Sequence, residues 1–410
     1  MWYNEENARQ NLKKLKREDR LLRSTGIICE YNPIHLGHAR QLSALREAGC
    51  EAVVCLMSGN AVQRGGFACA DRYTRASAAI RAGADLVLEL PYPYSMASAA
   101  YFAEAGVRIL DSLGVGELNF GSECGSIEDL TRAAQVTAGK DFDLRYRAEL
   151  RLGKGTARAY SDAYKALTGY ELPGGANDRL AISYLAAIRR TCARMDPTLI
   201  RRTGADFSDS EVRPGEYPSA TALRRLISER KYEEAYAFMP DGAAEIFRRA
   251  EREGLFPVDS EKVSSALLGF FRLADPECDT CFAETGGGLF RRLCAASHEA
   301  TDVEGLLSAA SSKRYTDSRI RRAVFFSVTG VTEDDLRRPP EYTTILAANA
   351  RGRSFLRETY GRFTVVTKPA DAPDCRQREL SRRFDALFTL AAPKSLPSGE
   401  FERRSPEICE

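Results

Sequence analysis

Gly26-Ile27-Ile28-Cys29-Glu30-Tyr31-Asn32-Pro33-Ile34-His35-Leu36-Gly37-His38 changes character twice within one short stretch. Residues 25–29 (TGIIC) form an apolar run suited to a buried strand, and Pro33 shapes the loop that follows. His35 and His38 then flank Gly37 where a helical pattern begins. A helix start carries unsatisfied N–H groups and the positive end of the dipole, which suits phosphate. Two imidazoles there can hydrogen-bond a phosphoryl group and neutralise charge on a departing pyrophosphate. Gly37 allows close backbone approach. The chain has three histidines, His35, His38 and His298, so two of the three fall in this loop. A metal-binding pair or plain surface histidines are the alternatives to a phosphate loop.

Working outward, short apolar runs recur at residues 52–57 (AVVCLM), 85–90 (DLVLEL) and 117–120 (ELNF). They end in Ser58-Gly59-Asn60, Pro91 and Gly121-Ser122. Helix-length segments lie between them, at 37–48, 71–82 and 95–113. This alternation predicts βαβ units and a parallel, Rossmann-like α/β sheet, with ligands at the carboxyl ends of the strands. The pattern continues with a helix at 180–193, a strand at 198–202 and a helix at 219–228. Beyond residue 230 it thins into helices at 231–253, 260–273 and 314–328. The expected organisation is a charged extension (1–24), an α/β domain (25–230) and a smaller, mainly helical domain (231–410). The last ~25 residues, with several prolines and charges, read as loosely ordered.

With 410 residues, 44% hydrophobic and 28% charged, the chain has an ordinary globular composition. A net charge of +2 excludes a strongly basic molecule, so any nucleic-acid contact must come from local patches. Eleven scattered cysteines read as reduced thiols and point to the cytoplasm. Residues 1–23 lack the apolar core of a secretory signal, and no run approaches the ~18 apolar residues of a membrane helix. No membrane association is expected, and nothing in the sequence sets the oligomeric state.

The opening stretch resembles that of the tRNA(Met) cytidine acetate ligase family. Further matches follow in order: Met57-Ser58-Gly59-Asn60, Gln63-Arg64-Gly65, Arg75, Gly83-Ala84-Asp85-Leu86-Val87, Glu89-Leu90-Pro91 and Phe120-Gly121-Ser122-Glu123. Asn177 with Tyr184, Arg201-Arg202, Ser219-Ala220-Thr221-Ala222-Leu223-Arg224 and Lys313-Arg314-Tyr315-Thr316 complete the series. The resemblance implies a nucleotidyltransferase-type ATP-binding domain. It also implies conversion of acetate and ATP to acetyl-adenylate, followed by attack of the wobble cytidine N4 amine of elongator tRNA(Met), giving N4-acetylcytidine and AMP. His35 and His38 would be catalytic. Ile28, Cys29, Glu30, Tyr31, Asn32, Pro33, Ile34, His35, Leu36, Gly37, His38, Ala39, Arg40 and Gln41 would wrap ATP, with Gly121, Asn177 and Arg202. Ser219, Thr221 and Arg224 would face the β- and γ-phosphates. Mg²⁺ is expected with ATP, held mostly by phosphates and water. The sequence departs from the family's usual residues at Leu36 (more often polar), Arg72 (lysine), Asp178 (asparagine) and Ala181 (glycine).

Lys313, Arg314, Tyr315, Arg319, Arg321 and Arg322 form a basic cluster that could meet RNA phosphates, Tyr315 stacking on a base. A solvated charged face is the alternative. Gln63, Arg64 and Arg75 could lie near the acceptor cytidine, or the arginines could serve structural ion pairs. Cys278, Cys281, Cys294 and His298 have zinc-like spacing, but zinc is not favoured. Asp206 and Asp209 read as turn residues rather than metal ligands. Two other functions compete: a nucleotidyltransferase acting on a phosphorylated small molecule, and a non-catalytic RNA-binding protein on a dead nucleotide fold.

Overall fold

The computed structural model describes residues 22–201, 218–278, 281–312 and 314–409. Its first half runs β1 (Ser24–Cys29), α1 (Leu36–Glu47), β2 (Ala52–Ser58), β3 (Ala61–Val62), β4 (Gly66–Phe67), α2 (Arg72–Arg81), β5 (Leu86–Leu90), α3 (Ala99–Ser112) and β6 (Glu117–Ser122). Then come α4 (Ile127–Thr137), α5 (Lys140–Arg151), α6 (Thr156–Thr168), α7 (Ala176–Thr191), β7 (Asp196–Arg201) and α8 (Ala220–Ser228). The second half comprises α9 (Tyr232–Tyr236), α10 (Asp241–Arg252), α11 (Ser264–Leu273), α12 (Leu289–Ser297), α13 (Val303–Ala310), α14 (Asp317–Thr329) and α15 (Glu333–Arg337). It ends with β8 (Thr343–Ala348), α16 (Ala350–Glu358), β9 (Val365–Val366), α17 (Arg376–Ala391) and β10 (Glu407–Ile408).

The main sheet has the order β10-β8-β5-β2-β1-β6-β7, with β9 paired to β8. Strands β5, β2, β1, β6 and β7 run parallel to one another. The α/β expectation for the first half is met. The chain moves outward from β1 to β2 and β5, then returns to place β6 on the other side of β1. That reversal opens a crevice at the carboxyl ends of β1 and β6, where ligands bind in such sheets.

Helices cover both faces, so the strands are apolar throughout rather than alternating. Along β2, Val54 and Leu56 pack with Ile28, Leu88, Phe102 and Tyr184 on one face. Val53, Cys55 and Met57 pack with Ile27, Val87, Leu223 and Phe247 on the other. α3 lies close against β1. A Cβ added to Gly106 would stand 2.5 Å from Ile28 Cδ1, so glycine there lets the helix approach the strand that carries the loop.

The second half, expected as a smaller, mainly helical domain, also contributes strands to the main sheet. β8 joins the edge of the first-half sheet antiparallel to β5, and β10 extends it beyond β8. The core of the helical part also takes in Ala61, Tyr92 and Met96 from the first half. The expected helix 231–253 is divided into α9 and α10, and Pro240 stands at the N-cap of the second. The terminal stretch is tied down as well: Phe401 is buried, and Arg404 pairs with Asp71 at 2.9 Å.

Candidate active site

The loop after β1 turns sharply at Tyr31, whose φ of +44° is uncommon for a non-glycine residue. The buried Tyr31 ring leans on His38 at a centroid distance of 4.9 Å, and its hydroxyl contacts Cys55 Sγ at 3.6 Å. Burial pushes the Tyr31 phenol well above its ordinary value, so it stays neutral in this anchoring role.

His35 is the N-cap of α1. Its Nδ1 accepts the Gly37 N–H at 3.1 Å, and His38 Nδ1 accepts the His35 N–H at 3.3 Å. The two imidazoles thus form a reciprocal capping box, a role usually filled by Ser/Thr and Glu. Because each Nδ1 is an acceptor, this hydrogen-bond pattern assigns the proton of each neutral ring to Nε2. The rings stack at 3.7 Å and 26°. The remaining first-turn amides are already satisfied: Leu36 N donates to Phe238 O at 2.9 Å and His38 N to His35 O at 2.9 Å. The sequence expectation that helix amides take up phosphate is corrected accordingly. The donors suited to an anion are the imidazole Nε2–H groups, backed by the helix dipole.

A cavity of about 170 Å³ opens at this point. Its wall brings together Ile28, Cys29, Glu30, Tyr31, Asn32, His35, His38 and Gln41 from the first loop and helix, with Gln63, Arg64, Gly121, Asn177, Ser219 and Arg224 from elsewhere. A groove of about 1010 Å³ adjoins it and shares Glu30, Asn32, Arg64 and Arg224. Glu30 Oε1 accepts the Gln63 N–H at 2.7 Å, and Asn32 Oδ1 accepts the Cys69 N–H at 2.7 Å. Arg224 donates to Asn32 O at 2.7 Å and to Thr221 Oγ1 at 3.0 Å. Burial and the positive charge of Arg224 lower the Arg64 pKa, with Glu30 opposing, so this wall favours an anion.

The matching family model is HIGH Nucleotidyl Transferase, over residues 22–400. The tRNA(Met) cytidine acetate ligase of Syntrophotalea carbinolica is 37% identical over 347 residues, covering 82% of this chain and 82% of its own. That of Caldanaerobacter subterraneus subsp. tengcongensis is 33% identical, covering 90% of this chain and 96% of its own. The chain belongs to the tRNA(Met) cytidine acetate ligase family. Among solved structures, Thermotoga maritima TmcAL in its apo form superposes with a TM-score of 0.87 at 29% identity, covering 94% of this chain and 99% of that one. The same protein bound to alpha-thio ATP gives 0.84 at 28% identity, with the same coverage.

In this member of the tRNA(Met) cytidine acetate ligase family, Pro33, Ile34, Leu36, Gly37, Ala39 and Arg40 do not line the cavity; Ile34 is fully buried behind the loop. Thr221 does not line the cavity, and its hydroxyl accepts from Arg224 at 3.0 Å. Arg202, Lys313, Asp206 and Asp209 lie outside the described residues. Sequence reasoning missed Asn119, Phe102, Phe120 and Leu180 on the wall. Asn119 accepts from Gln41 Nε2 at 2.8 Å and donates to Thr198 Oγ1 at 3.0 Å, a polar relay inside a strand. A polar residue within the apolar 117–120 run was the available signal. Glu123 caps α7, accepting from Asn177 Nδ2 at 2.5 Å and Asp178 N at 2.9 Å.

The residues expected to meet RNA are placed differently. Arg75 is fully buried, where no RNA reaches it: it donates to Ala70 O at 3.0 Å, Glu30 O at 2.6 Å, Ser58 O at 3.0 Å and Gly59 O. It staples the first loop to the end of β2. Arg322 is buried against Glu284, both distances 3.1 Å, and Arg319 bonds Glu284 O and Gly286 O at 3.0 and 2.8 Å. Tyr315 is buried, its hydroxyl on Gly287 O, with Arg314 and Arg319 over its ring, so it offers no face to a base. Arg321 lines the groove and pairs with Glu304 at 2.9 Å.

Cys278 and Cys281 are joined by a disulfide, which corrects the expectation that all the thiols are reduced. Cys294 is buried in the helical core. Among the described residues no group of three or more His, Cys, Asp or Glu side chains is placed to hold a metal ion.

Asp178 stands where the surrounding groups all donate. It is buried and accepts Ser122 Oγ–H at 2.6 Å, Glu123 N–H at 2.9 Å and Cys124 N–H at 3.2 Å. Burial raises its pKa, but the Ser122 hydroxyl and the Cys124 and Glu123 amides outweigh it and hold the carboxyl below its usual value. The amide of an asparagine in this place would turn a donor toward these donors. D178N is expected to cost about 1–3 kcal/mol in urea denaturation at pH 7. Because the folded-state pKa is lowered, the stabilisation is present above the unfolded value of about 3.9 and fades as pH falls through the folded one. The gap between wild type and D178N should therefore narrow on acidification. A gap that is constant with pH would sink this account.

Proposed function

We propose that this chain activates acetate with ATP and transfers the acetyl group to the N4 amine of the wobble cytidine of an elongator tRNA(Met). The observation that carries the proposal is the pair of adjoining spaces. The small cavity is walled by the His35–His38 helix start, and the large groove shares four residues with it. One space suits the nucleotide and the other admits a bulky acceptor. Relatives named for this reaction and a TmcAL structure holding an ATP analogue support it.

In the first step a carboxylate oxygen attacks the α-phosphorus. The bond to the β-phosphate oxygen breaks, and pyrophosphate leaves with the electron pair. No proton moves. His35 and His38 Nε2–H meet the charge that builds on the leaving group. In the second step the amine nitrogen attacks the acyl carbon, the carbon–oxygen bond to phosphate breaks, and AMP departs. The amine proton leaves through the open groove. Glu30 supplies the one carboxylate on the described cavity wall, so Mg²⁺ arriving with ATP would be held mainly by phosphate oxygens and water. The partner is soluble tRNA. Among the described residues no helix is long and apolar enough to cross a membrane. A cytoplasmic location follows from the RNA substrate.

The expected result is exchange of labelled pyrophosphate into ATP that requires acetate and no RNA. Exchange requiring a phosphorylated small molecule instead would favour the plain nucleotidyltransferase. Absence of exchange even with tRNA present would overturn the proposal.

A further inference from the structure

We propose that Arg64 is the carboxylate clamp of the adenylation step, holding acetate against the α-phosphorus with Arg224 as the second positive charge. This rests on the acetate-activation reading above. Three reactants must converge on one acyl carbon: ATP from the small cavity, acetate, and an amine entering from the groove. The acyl group is made in one space and taken from the other, so it has to sit on the wall they share. That wall is Glu30, Asn32, Arg64 and Arg224.

The chemistry of the four separates their roles. Glu30 is an anion and repels a carboxylate. Asn32 offers a carboxylate only the neutral Nδ2–H donors of its amide, its side-chain oxygen accepting from Cys69 N and its carbonyl from Arg224. Arg224 is oriented by Asn32 O and Thr221 Oγ1, and it stands on the helix whose start is expected to face the terminal phosphates. Arg64 comes instead from the short β3–β4 hairpin, on the groove side. A planar guanidinium fork matches a carboxylate in two parallel hydrogen bonds, which a lysine cannot reproduce.

The hairpin is held firmly enough to aim it. Gln63 N donates to Glu30, and Gln63 O accepts from Arg322 Nη1 at 3.4 Å. Gly65 has a φ of +85°, and a Cβ there would lie 2.6 Å from the Arg322 backbone nitrogen, so the turn is seated directly on α14. Residues on both sides of Arg64 are therefore fixed, one to the nucleotide loop and one to the helical part. Arriving acetate also offsets the like-charge repulsion of Arg64 by Arg224.

The test is acetate-dependent ATP–pyrophosphate exchange in R64A and R64K, beside direct binding of an α-thio ATP analogue and of tRNA. R64A should raise the acetate KM by about 10–100-fold, as expected for losing a bidentate charge-assisted contact. Its analogue affinity and tRNA affinity should stay within about threefold, with R64K intermediate. Added guanidinium should partly restore R64A. An unchanged acetate KM overturns the clamp. A matching loss of analogue affinity would make Arg64 a phosphate ligand, and weakened tRNA binding alone would make it an RNA contact; either also overturns it. Lack of acetate-dependent exchange in the unsubstituted protein would instead remove the reading on which the clamp rests.

Discussion

His38→Ala should slow acetate-dependent ATP–pyrophosphate exchange by about 10²–10³-fold, the usual effect of removing one preorganised donor to developing charge. The geometry makes the effect separable from folding. Each histidine uses Nδ1 for the helix start, and the proposed chemistry draws on Nε2–H, so a side chain that mimics only one nitrogen divides the roles. His35→Asn places an amide oxygen where Nδ1 was. It should keep the cap and the melting temperature while exchange still falls steeply. His38→Ala removes both contacts and also the 3.7 Å stack on His35, so its loss should be the larger. His38→Asn should recover stability but not rate. Wild-type exchange in His38→Ala would refute the assigned role. A rate loss that follows melting temperature across all three variants would reduce the pair to a structural cap.

The parts of this site that could be read from sequence are those encoded locally. An apolar run, a proline, and two histidines around a glycine at a helix start lie within one turn of chain, and they fold into the capped loop that the pattern implies. The parallel order of the first strands was legible for the same reason: each βα unit carries its own punctuation. What escaped was encoded at a distance. β8 reads as an ordinary TTILAA run, and only pairing with β5, over 250 residues earlier, makes it a sheet strand. The buried arginines escaped for a related reason. Arg75 and Arg322 look like surface charge until their partners are known, and the partners are backbone carbonyls and Glu284. A charged residue cannot declare its burial in its own sequence neighbourhood, because burial is tolerated only through a partner supplied by the fold. The helix amides escaped too, because Phe238 O reaches Leu36 N from a different helical pair.

Arg72 carries this argument furthest, and Arg72→Met should destabilise the protein by about 3–5 kcal/mol, the cost of stranding buried charge. Arg72 touches neither the nucleotide cavity nor the groove. Its guanidinium is buried, with Nη1 at 2.8 Å from Asp385 Oδ2 and 3.2 Å from Glu89 Oε1. Asn60 ties the cluster together, donating to Asp385 at 2.8 Å and accepting the Arg72 N–H at 2.9 Å. Phe401 covers the guanidinium at 5.2 Å. The cluster thus joins α2 and β5 of the first-half sheet to α17 of the C-terminal segment. Two carboxylates share one arginine, so removing it leaves Asp385 without its ion-pair partner and Glu89 with only the more distant Arg75. Burial already pushes Asp385 and Glu89 above their usual range, with Arg72 pulling each back. In the variant both should rise further and take up protons on folding. The sign follows: a carboxyl with a raised folded-state pKa loses stability as pH rises from its unfolded value through its folded one. Arg72→Met should therefore be closest to wild type near pH 4–5, about the unfolded carboxylate range, and fall away toward pH 7. Arg72→Lys should recover much of the loss, since one ammonium still supplies a cation to the two carboxylates but cannot serve them with a planar fork. Urea denaturation of the three proteins at pH 5 and 7 decides the matter. A deficit in Arg72→Met that does not grow with pH would mean that lost packing against Phe401, rather than stranded charge, sets the cost.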